Sequence, residues 1–205
     1  MSIAAAADDG VEAGRVPPRT IRFADLPRQS LDQGRGSARE VWADLDTDLT
    51  LRWQLRVVEI KDSTGLLVGP AGTHHHVVGL AGPQVAVRNT ESNRVLRRAH
   101  VLPVLSSTVS FERPKLRPPG ASSLVVLTFA GAADPPELVF RTLPPQTDLR
   151  AGAQLLLALR GTVRVDGAEA APGSALLLDP TRSHRPEATA AHVLTVHRPG
   201  THQDP

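Results

Sequence analysis

Three consecutive histidines are the feature of this chain whose residue type and spacing come closest to metal chemistry. His74, His75 and His76 follow Thr73 and precede an apolar run. Adjacent side chains of a β-strand point to opposite faces, so only His74 and His76 could share an ion. A third ligand would be required, and no Asp, Glu or His stands at the expected spacing. We therefore predict one inward-facing histidine, two surface histidines and no metal site.

Other catalytic chemistries find less support. The chain has no cysteine, which excludes disulfides, thiolate metal ligands and thiol nucleophiles. The paired serines at 106–107 and 122–123 lie outside any G-x-S-x-G nucleophile motif. The glycine-rich stretch 34–36 lacks the Lys-Ser/Thr of a phosphate-binding loop, and no pair of carboxylates stands out for glycoside hydrolysis. We predict no catalytic residue.

The elements that must position these residues are β-strands. Leu51, Trp53, Leu55 and Val57 alternate with polar residues, which is the period of a half-buried strand. The stretch 152–180 contains two apolar runs, separated by an alternating segment and by Asp-Gly and Pro-Gly turn signals. No long amphipathic helix is visible in the sequence. The fold is predicted to be all-β.

The chain divides into two strand-rich blocks. The segment 75–87 aligns without a gap on 154–166, and each carries a glycine before its next strand, Gly82 and Gly161. Such self-similarity indicates an internal repeat. The predicted organisation, in chain order, is a disordered tail at 1–18, a first barrel at 19–112, a Pro- and Gly-rich linker at 113–122, a second barrel at 123–199 and a frayed end at 200–205.

The order of strands and turns in 152–180 resembles the second half of a cupin β-barrel. The resemblance implies two stacked cupin-type barrels in one chain, a bicupin. Cupin enzymes hold a metal through two histidines and a glutamate before a glycine, and through a later histidine. In the second block these positions are Asp148, Arg150 and Gln154, and the late histidine is His184. A cation and an amide at ligand positions argue against a metal site.

The first block leads to the same conclusion. Aligned on Gly82, the corresponding positions are Gly69, Ala71 and His75. An imidazole therefore stands where metal-binding cupins have their glutamate, and the two histidine positions hold residues without a metal-binding group. We predict neither a metal nor any other cofactor.

Four segments also resemble motifs of the HutD/Ves family of bicupins. These segments are 31–40 (LDQGRGSARE), 53–56 (WQLR), 70–75 (PAGTHH) and 143–150 (LPPQTDLR). They keep the family's order and spacing over roughly residues 20 to 198. The family residues that this chain retains are Gly34, Gly36, Arg39, Glu40, Trp53, Gly72 and Asp148.

This resemblance implies a binding function. The family is associated with histidine utilisation and with binding of a small acidic metabolite in the first barrel, without established catalysis. Arg39 keeps a family arginine and His75 replaces another, so both are predicted anion contacts. The matched positions Gln33, Trp53 and Asp148 complete the predicted ligand-binding set. A histidine contact would make anion affinity fall as the pH rises, unless Arg39 alone carries the charge.

Composition limits the partners. The net charge is +2, and the densest basic cluster, Arg94, Arg97 and Arg98, is short and has no aromatic neighbours. This pattern indicates a solvated loop or strand edge rather than a nucleic-acid-binding surface. No apolar run is long enough to span a membrane, and the N-terminus lacks a signal-peptide pattern. We predict a cytoplasmic monomer or homodimer that binds neither nucleic acid nor membrane.

The sequence-based hypothesis is a non-catalytic bicupin that binds a small carboxylate, as a regulator of histidine utilisation. Two alternatives remain open: a structural or protein-interaction bicupin without a ligand, and a cupin isomerase or oxygenase with unusual ligation. An open polar cavity in the first barrel would favour binding, whereas a barrel filled with side chains would favour interaction.

Overall fold

The computed structural model describes residues 16–89, 92–113, 120–131, 134–144, 147–188 and 191–198. Within these residues lie seventeen β-strands and one short 3-10 turn, Phe23–Asp25, but no α-helix. No helix of the described residues is long and apolar enough to cross a membrane. The all-β prediction is confirmed. Most of the predicted tail and linker, and the predicted frayed end, lie outside the described residues.

The strands are β1 (Arg19–Arg22), β2 (Gln29–Ser30), β3 (Gln33–Leu45), β4 (Leu51–Val68), β5 (Thr73–Ala81), β6 (Val85–Arg88), β7 (Asn93–Leu96), β8 (Val101–Val104), β9 (Thr108–Glu112), β10 (Ser122–Ala130), β11 (Glu137–Leu143), β12 (Ala153–Arg160), β13 (Val163–Val165), β14 (Ala168–Ala170), β15 (Ser174–Leu177), β16 (Glu187–Ala188) and β17 (Ala191–His197).

The larger sheet is built on the long neighbouring strands β3 and β4. They pair antiparallel from Gln33 opposite Leu66 to Leu45 opposite Leu51, and the register shifts at three points along the way. The main path of the sheet runs β7-β6-β9-β4-β10-β5-β8. β3 branches from β4, and β2 pairs with β3. The predicted strand over residues 51–57 is confirmed as the first part of β4.

Each block contributes one strand to the sheet of the other. β10, predicted to open the second barrel, lies in the larger sheet between β4 and β5. β1, predicted to belong to the first barrel, pairs with β15 at the edge of the smaller sheet. Strand pairing therefore crosses the predicted boundary in both directions. An edge strand presents unpaired N–H and C=O groups, with which a strand distant in sequence can pair.

The second block consists of a five-stranded sheet, in the order β1-β15-β12-β17-β11, and a three-stranded sheet, β14-β13-β16. The predicted Asp-Gly turn joins β13 to β14, with Asp166 at φ 47° and Gly167 at φ 85°. Tight hairpins need these left-handed values because their twist must match that of the strands. The predicted Pro-Gly turn precedes β15, with Gly173 at φ 91°. Both turn predictions are confirmed.

Two apolar clusters lie inside the blocks. The first inner cluster belongs to the larger sheet and includes Val58, Val77 and Val126. The second inner cluster lies in the second block and includes Leu156 and Val193. Each block therefore encloses its own core, as two barrels would.

A third cluster, the between-sheet cluster, joins the blocks. It combines Trp53, Leu55 and Leu127 of the larger sheet with Leu155 and Leu194 of the smaller sheet. The two sheets therefore face each other across a shared apolar layer. Burial of each large aliphatic side chain in such a layer contributes about 1.5–3 kcal/mol to stability.

β10 shows how one strand serves two clusters. Leu124 and Val126 belong to the first inner cluster, whereas Val125, Leu127 and Phe129 belong to the between-sheet cluster. Successive side chains of a strand point to opposite faces. Because both faces of β10 are covered, its sequence is a continuous apolar run rather than an alternating one.

Candidate binding site

Strand alternation directs a row of polar side chains into the first block. On β5, Val77 belongs to the first inner cluster, so His75, two residues earlier, faces the same interior. His75 pairs across the sheet with Thr128 of β10, and Thr128 pairs with Gln54 of β4. His75, Thr128 and Gln54 are all buried. The inner face of the first block is therefore polar where β5, β10 and β4 carry these three residues.

The neighbouring row adds charge to this face. Val126 pairs with Arg56 of β4, and Arg56 pairs with Glu40 of β3. Since Val126 belongs to the first inner cluster, Arg56 and Glu40 lie on the same face as His75. We call the set His75, Thr128, Gln54, Arg56 and Glu40 the inner polar set.

His75 is a neutral imidazole held from both sides. Its Nδ1 lies 2.9 Å from Thr128 Oγ1, and its Nε2 lies 3.1 Å from the carbonyl oxygen of Ser107. A carbonyl can only accept, so Nε2 carries the proton and Nδ1 accepts from the hydroxyl. Burial lowers the pKa of His75; the Ser107 carbonyl opposes this effect, and the charges of Arg56 and His74 add to it. The ring is therefore uncharged near neutral pH.

Arg56 is the cation of the inner polar set. Its Nε is buried and has no hydrogen-bond partner. Burial lowers the pKa of Arg56, and the nearby charges of Glu40 and Asp32 raise it. A guanidinium with an unused donor in a poorly solvated place is stabilised by an anion that can accept from it.

Arg56 is not among the predicted ligand-binding residues, although it lies in one of the family-like segments. The available signal was its spacing from Val58, which places the two side chains on one face of β4. The alternation through Trp53 and Leu55 indicates that the opposite face of β4 is the buried one. Both faces of this part of β4 are covered in the structure, so Gln54 and Arg56 point inward rather than to solvent.

Gln54 completes the polar chemistry of this face. Its Nε2 donates to the carboxylate of Glu40, whereas its Oε1 is buried without a hydrogen-bond partner. The Glu40 contact determines which end of the amide is the donor. Within the inner polar set, the buried atoms without a hydrogen-bond partner are thus the donor Nε of Arg56 and the acceptor Oε1 of Gln54.

The structure does not bring Arg39 and His75 together. Arg39 pairs with Val57 and lies next to Ala38 of the first inner cluster, so its side chain leaves the opposite face of the sheet. Its Nη1 donates to the carbonyl oxygens of Ala24 and Leu26. Arg39 thereby anchors the 3-10 turn against β3.

The remaining predicted ligand-binding residues also lie apart from His75. Trp53 is 1% exposed and belongs to the between-sheet cluster. Gln33 is exposed at the start of β3. Asp148 is exposed in the second block, where its Oδ1 accepts from Nε of Arg185 at 3.0 Å. Within the predicted set, His75 is the member that reaches the inner polar face.

His74 and His76 contact an aromatic ring instead of sharing an ion. Their ring centroids lie 6.0 and 4.8 Å from that of Phe129, both in edge-on arrangements. Both histidines are half-buried, so the prediction of two surface histidines is wrong, whereas the prediction of one inward histidine is confirmed. The between-sheet cluster covers this face, and burial lowers the pKa of His76.

The late histidine of the second block is a structural anchor. His184 is buried; its Nε2 lies 2.8 Å from the carbonyl oxygen of Asp179, and its Nδ1 lies 3.4 Å from Asp166 Oδ2. Asp166 also accepts from Nη2 of Arg182 at 2.6 Å. In the part of the chain that the structure describes, no group of three or more His, Asp or Glu residues could hold a metal ion.

Solved structures with this architecture include two Pseudomonas proteins. HutD from Pseudomonas fluorescens SBW25, determined in a formate condition, matches with a TM-score of 0.67 and 17% identity, over 88% of this chain and 99% of HutD. The conserved protein of unknown function PA5104 from Pseudomonas aeruginosa PAO1 matches with a TM-score of 0.70 and 22% identity, over 89% and 98% of the two chains.

A cupin 2 conserved barrel domain protein from Leptotrichia buccalis matches with a TM-score of 0.53 and 13% identity, over 90% of this chain and 99% of that one. No model of a known protein family matches the sequence, and no curated protein is significantly similar to it. The likeness therefore lies in the fold. Both the predicted resemblance to HutD and the predicted cupin-type barrel are confirmed at that level: this chain has an all-β, HutD-like cupin fold.

Proposed function

We propose that the protein binds a small carboxylate at the inner polar set of the first block, in the cytoplasm, without catalysing a reaction on it. The observation that carries the proposal is Arg56, a partly buried cation whose Nε has no hydrogen-bond partner. A guanidinium recognises a carboxylate through two parallel N–H···O bonds. The uncharged groups of His75, Thr128 and Gln54, together with the carboxylate of Glu40, set which ligand fits beside it.

The unused groups define the chemistry of the ligand. Arg56 offers a charged donor, and Gln54 Oε1 offers an acceptor that no residue satisfies. A buried acceptor left unpaired costs about 1–3 kcal/mol. A carboxylate that also carries a hydroxyl or N–H group would therefore satisfy both atoms, whereas a simple acid such as formate would satisfy Arg56 alone.

His75 supports binding rather than catalysis. Thr128 and Ser107 occupy both of its ring nitrogens, so neither is left to accept a proton from a substrate. The lowered pKa of His75 leaves the positive charge to Arg56 near neutral pH. Anion affinity should accordingly stay nearly constant between about pH 7 and 8, because arginine does not titrate there.

The HutD structure was determined in a formate condition, which makes formate the natural first probe. We further propose a regulatory role in histidine utilisation, for which urocanate and N-formylglutamate are the test ligands. Both carry a carboxylate together with an N–H donor, the combination that Arg56 and Gln54 leave unsatisfied.

A thermal-shift series at pH 7 with formate, lactate, urocanate and N-formylglutamate tests the proposal. At about 100 times Kd, binding stabilises by about 2.7 kcal/mol, which raises the melting temperature of a chain this size by about 5–10 °C. Formamide, which is uncharged, should not raise it. Isothermal titration calorimetry with lactate, which carries no ring, should give one site per chain.

Two arginine variants locate the site. Arg56→Gln should abolish the shift by formate and lactate, which carry no ring, whereas Arg39→Gln should keep it, because Arg39 leaves the other face of the sheet. If none of the acids shifts the wild type, or if the shift by formate and lactate survives Arg56→Gln, the binding proposal is wrong. A structural or protein-interaction role without a ligand would then be the better explanation of the fold.

A further inference from the structure

A cleft of about 490 Å³ opens between the two blocks. One wall comes from the end of β5 and the loop between β7 and β8, and the other comes from β11, β12 and β17. This volume is within the range of about 300–1,000 Å³ that small-molecule sites occupy. None of the residues of the inner polar set lines this cleft.

The smaller sheet supplies a polar row to one wall. Thr142 of β11 pairs with His192 of β17, and His192 pairs with Arg160 of β12. Thr142 Oγ1 lies 3.2 Å from Nδ1 of His192, which leaves Nε2 of this ring to meet a ligand. A hydroxyl, an imidazole and a guanidinium therefore follow one another across three neighbouring strands.

The opposite wall brings a second guanidinium. Arg98 forms an isolated parallel bridge with Gly79, and the backbone N–H of Ala99 donates to the Gly79 carbonyl at 3.3 Å. Ala99 has a φ of 55°, a left-handed value that costs a non-glycine residue about 1–2 kcal/mol. The loop thus keeps an unfavourable backbone conformation while it places Arg98 at the cleft.

The described residues that line the cleft combine positive charge with apolar surface. Three arginines, Arg98, Arg141 and Arg160, lie among them, whereas no aspartate or glutamate does. Nε of Arg141 is buried without a hydrogen-bond partner. The apolar part of the lining includes Phe140 and Leu159, which pack against the between-sheet cluster.

We propose that this cleft is a second binding site, for an organic anion that carries an apolar ring or chain. Guanidinium groups on facing walls hold the anionic group, and the side chains of Phe140, Leu80 and Leu159 contact the apolar body. The cleft differs from the first-block site in its lining residues, in its charge and in its position between the blocks. It therefore stands independently of the proposed function.

Titration with 2-naphthoate tests the proposal, and it is performed on the full chain with Arg56→Gln so that the first-block site cannot contribute. We expect one naphthoate per chain. Neutral 2-naphthamide and inorganic phosphate should each bind at least about tenfold more weakly, since each lacks one of the two matching features; a tenfold ratio is about the effect of one charge-assisted hydrogen bond.

Substitutions in the cleft assign the binding to it. Arg98→Ala and Arg160→Ala should each raise the Kd for naphthoate about tenfold, and Thr142→Trp should block binding by filling the space. Arg97→Ala is the matched control, because Arg97 is an exposed neighbour of Arg98 that does not line the cleft. Circular dichroism melting curves establish that each variant is folded.

The outcomes separate the two sites. Naphthoate binding that survives Arg56→Gln but is lost in the cleft variants supports the proposal, whatever the response to formate. The proposal is overturned if naphthoate does not bind, if naphthamide binds equally well, or if the cleft variants behave like Arg97→Ala. A loss of the formate response in Arg56→Gln, with unchanged naphthoate binding, would support both sites together.

Discussion

His75, on the inner face of the first block, is a hydrogen-bonded and uncharged side chain. It is 0% exposed, and a charged imidazole in that place would lose its hydration without gaining an anionic contact. Thr128 and Ser107 supply the hydrogen bonds that make burial of the neutral form acceptable. The protonation state of His75 is therefore coupled to folding.

Stability should fall as the pH drops below the ordinary histidine value of 6.5. Burial lowers the pKa of His75 in the folded state, so the unfolded chain takes up the proton first and is favoured at low pH. Urea unfolding between pH 8 and pH 5 should show this slope, and His75→Gln should reduce it. Part of the slope should remain, because burial also lowers the pKa of His76.

The matched control for this measurement is His100→Gln, since His100 is an exposed loop histidine. The stability of the His100→Gln variant should change with pH as that of the wild type does. A His75→Gln slope equal to that of the wild type would show that His75 is not the titrating group.

Purified protein should contain no stoichiometric transition metal. Both ring nitrogens of His75 are occupied by hydrogen bonds, and His184 is held by Asp179 and Asp166. Elemental analysis and a chelator treatment measure this, and the melting temperature should not respond to the chelator. One Fe, Mn, Ni or Zn per chain, removable with a drop in melting temperature, would contradict the prediction.

At the scale of elements, the turn after β5 is fitted closely to the start of β10. Gly82 has a φ of 86°, and a Cβ added there would lie 2.9 Å from Cα of Ser122 and would clash with the Ala121 carbonyl oxygen. The glycine thus meets a conformational and a steric requirement together. Its position allows β10 to enter the larger sheet beside β5.

Gly82→Ala should therefore destabilise the protein by about 3 kcal/mol or more, because strain and overpacking add. Gly72→Ala is the matched comparison: Gly72 has a φ of 77°, but the space that an added Cβ would occupy is open. It should cost only about 1–2 kcal/mol, the strain alone. Equal losses in chemical denaturation would show that the contact with β10 does not restrict this turn.

At the scale of the whole molecule, the exchanged strands and the between-sheet cluster couple the two blocks. β10 pairs with β4 and β5, and β1 pairs with β15. Neither block keeps its sheet and its apolar layer intact if the other unfolds. We therefore expect the chain to unfold as one cooperative unit.

Leu156→Ala tests this coupling. Leu156 is buried in the second inner cluster, and its truncation should cost about 2–5 kcal/mol. The chain has two tryptophans, Trp42 and Trp53, and both belong to strands of the larger sheet. The midpoint of the tryptophan fluorescence transition should shift as far as the circular dichroism midpoint. A fluorescence midpoint that stays at the wild-type value would mean that the blocks unfold separately.

Local sequence determined the strands, the tight turns and the inward direction of His75. These features depend on neighbours in the chain: alternation sets the face of each side chain, and the φ of Asp166 and Gly167 is set by the hairpin turn itself. The HutD-like cupin fold was also predicted, because the family-like segments and the turn signals keep their order along the chain.

Only the tertiary structure decided which arginine lies inside. In β4 the apolar residues Trp53 and Leu55 indicate one buried face, whereas on the other face the polar Gln54 and Arg56 precede Val58, and that single spacing does not show that Arg56 is covered as well. A second sheet packs over Trp53, so Arg56 faces the interior of its own block while Arg39 leaves the opposite side. The cleft lined by Arg98 and Arg160 likewise exists because two distant segments meet, and that meeting depends on pairing and packing over the whole chain rather than on local pattern.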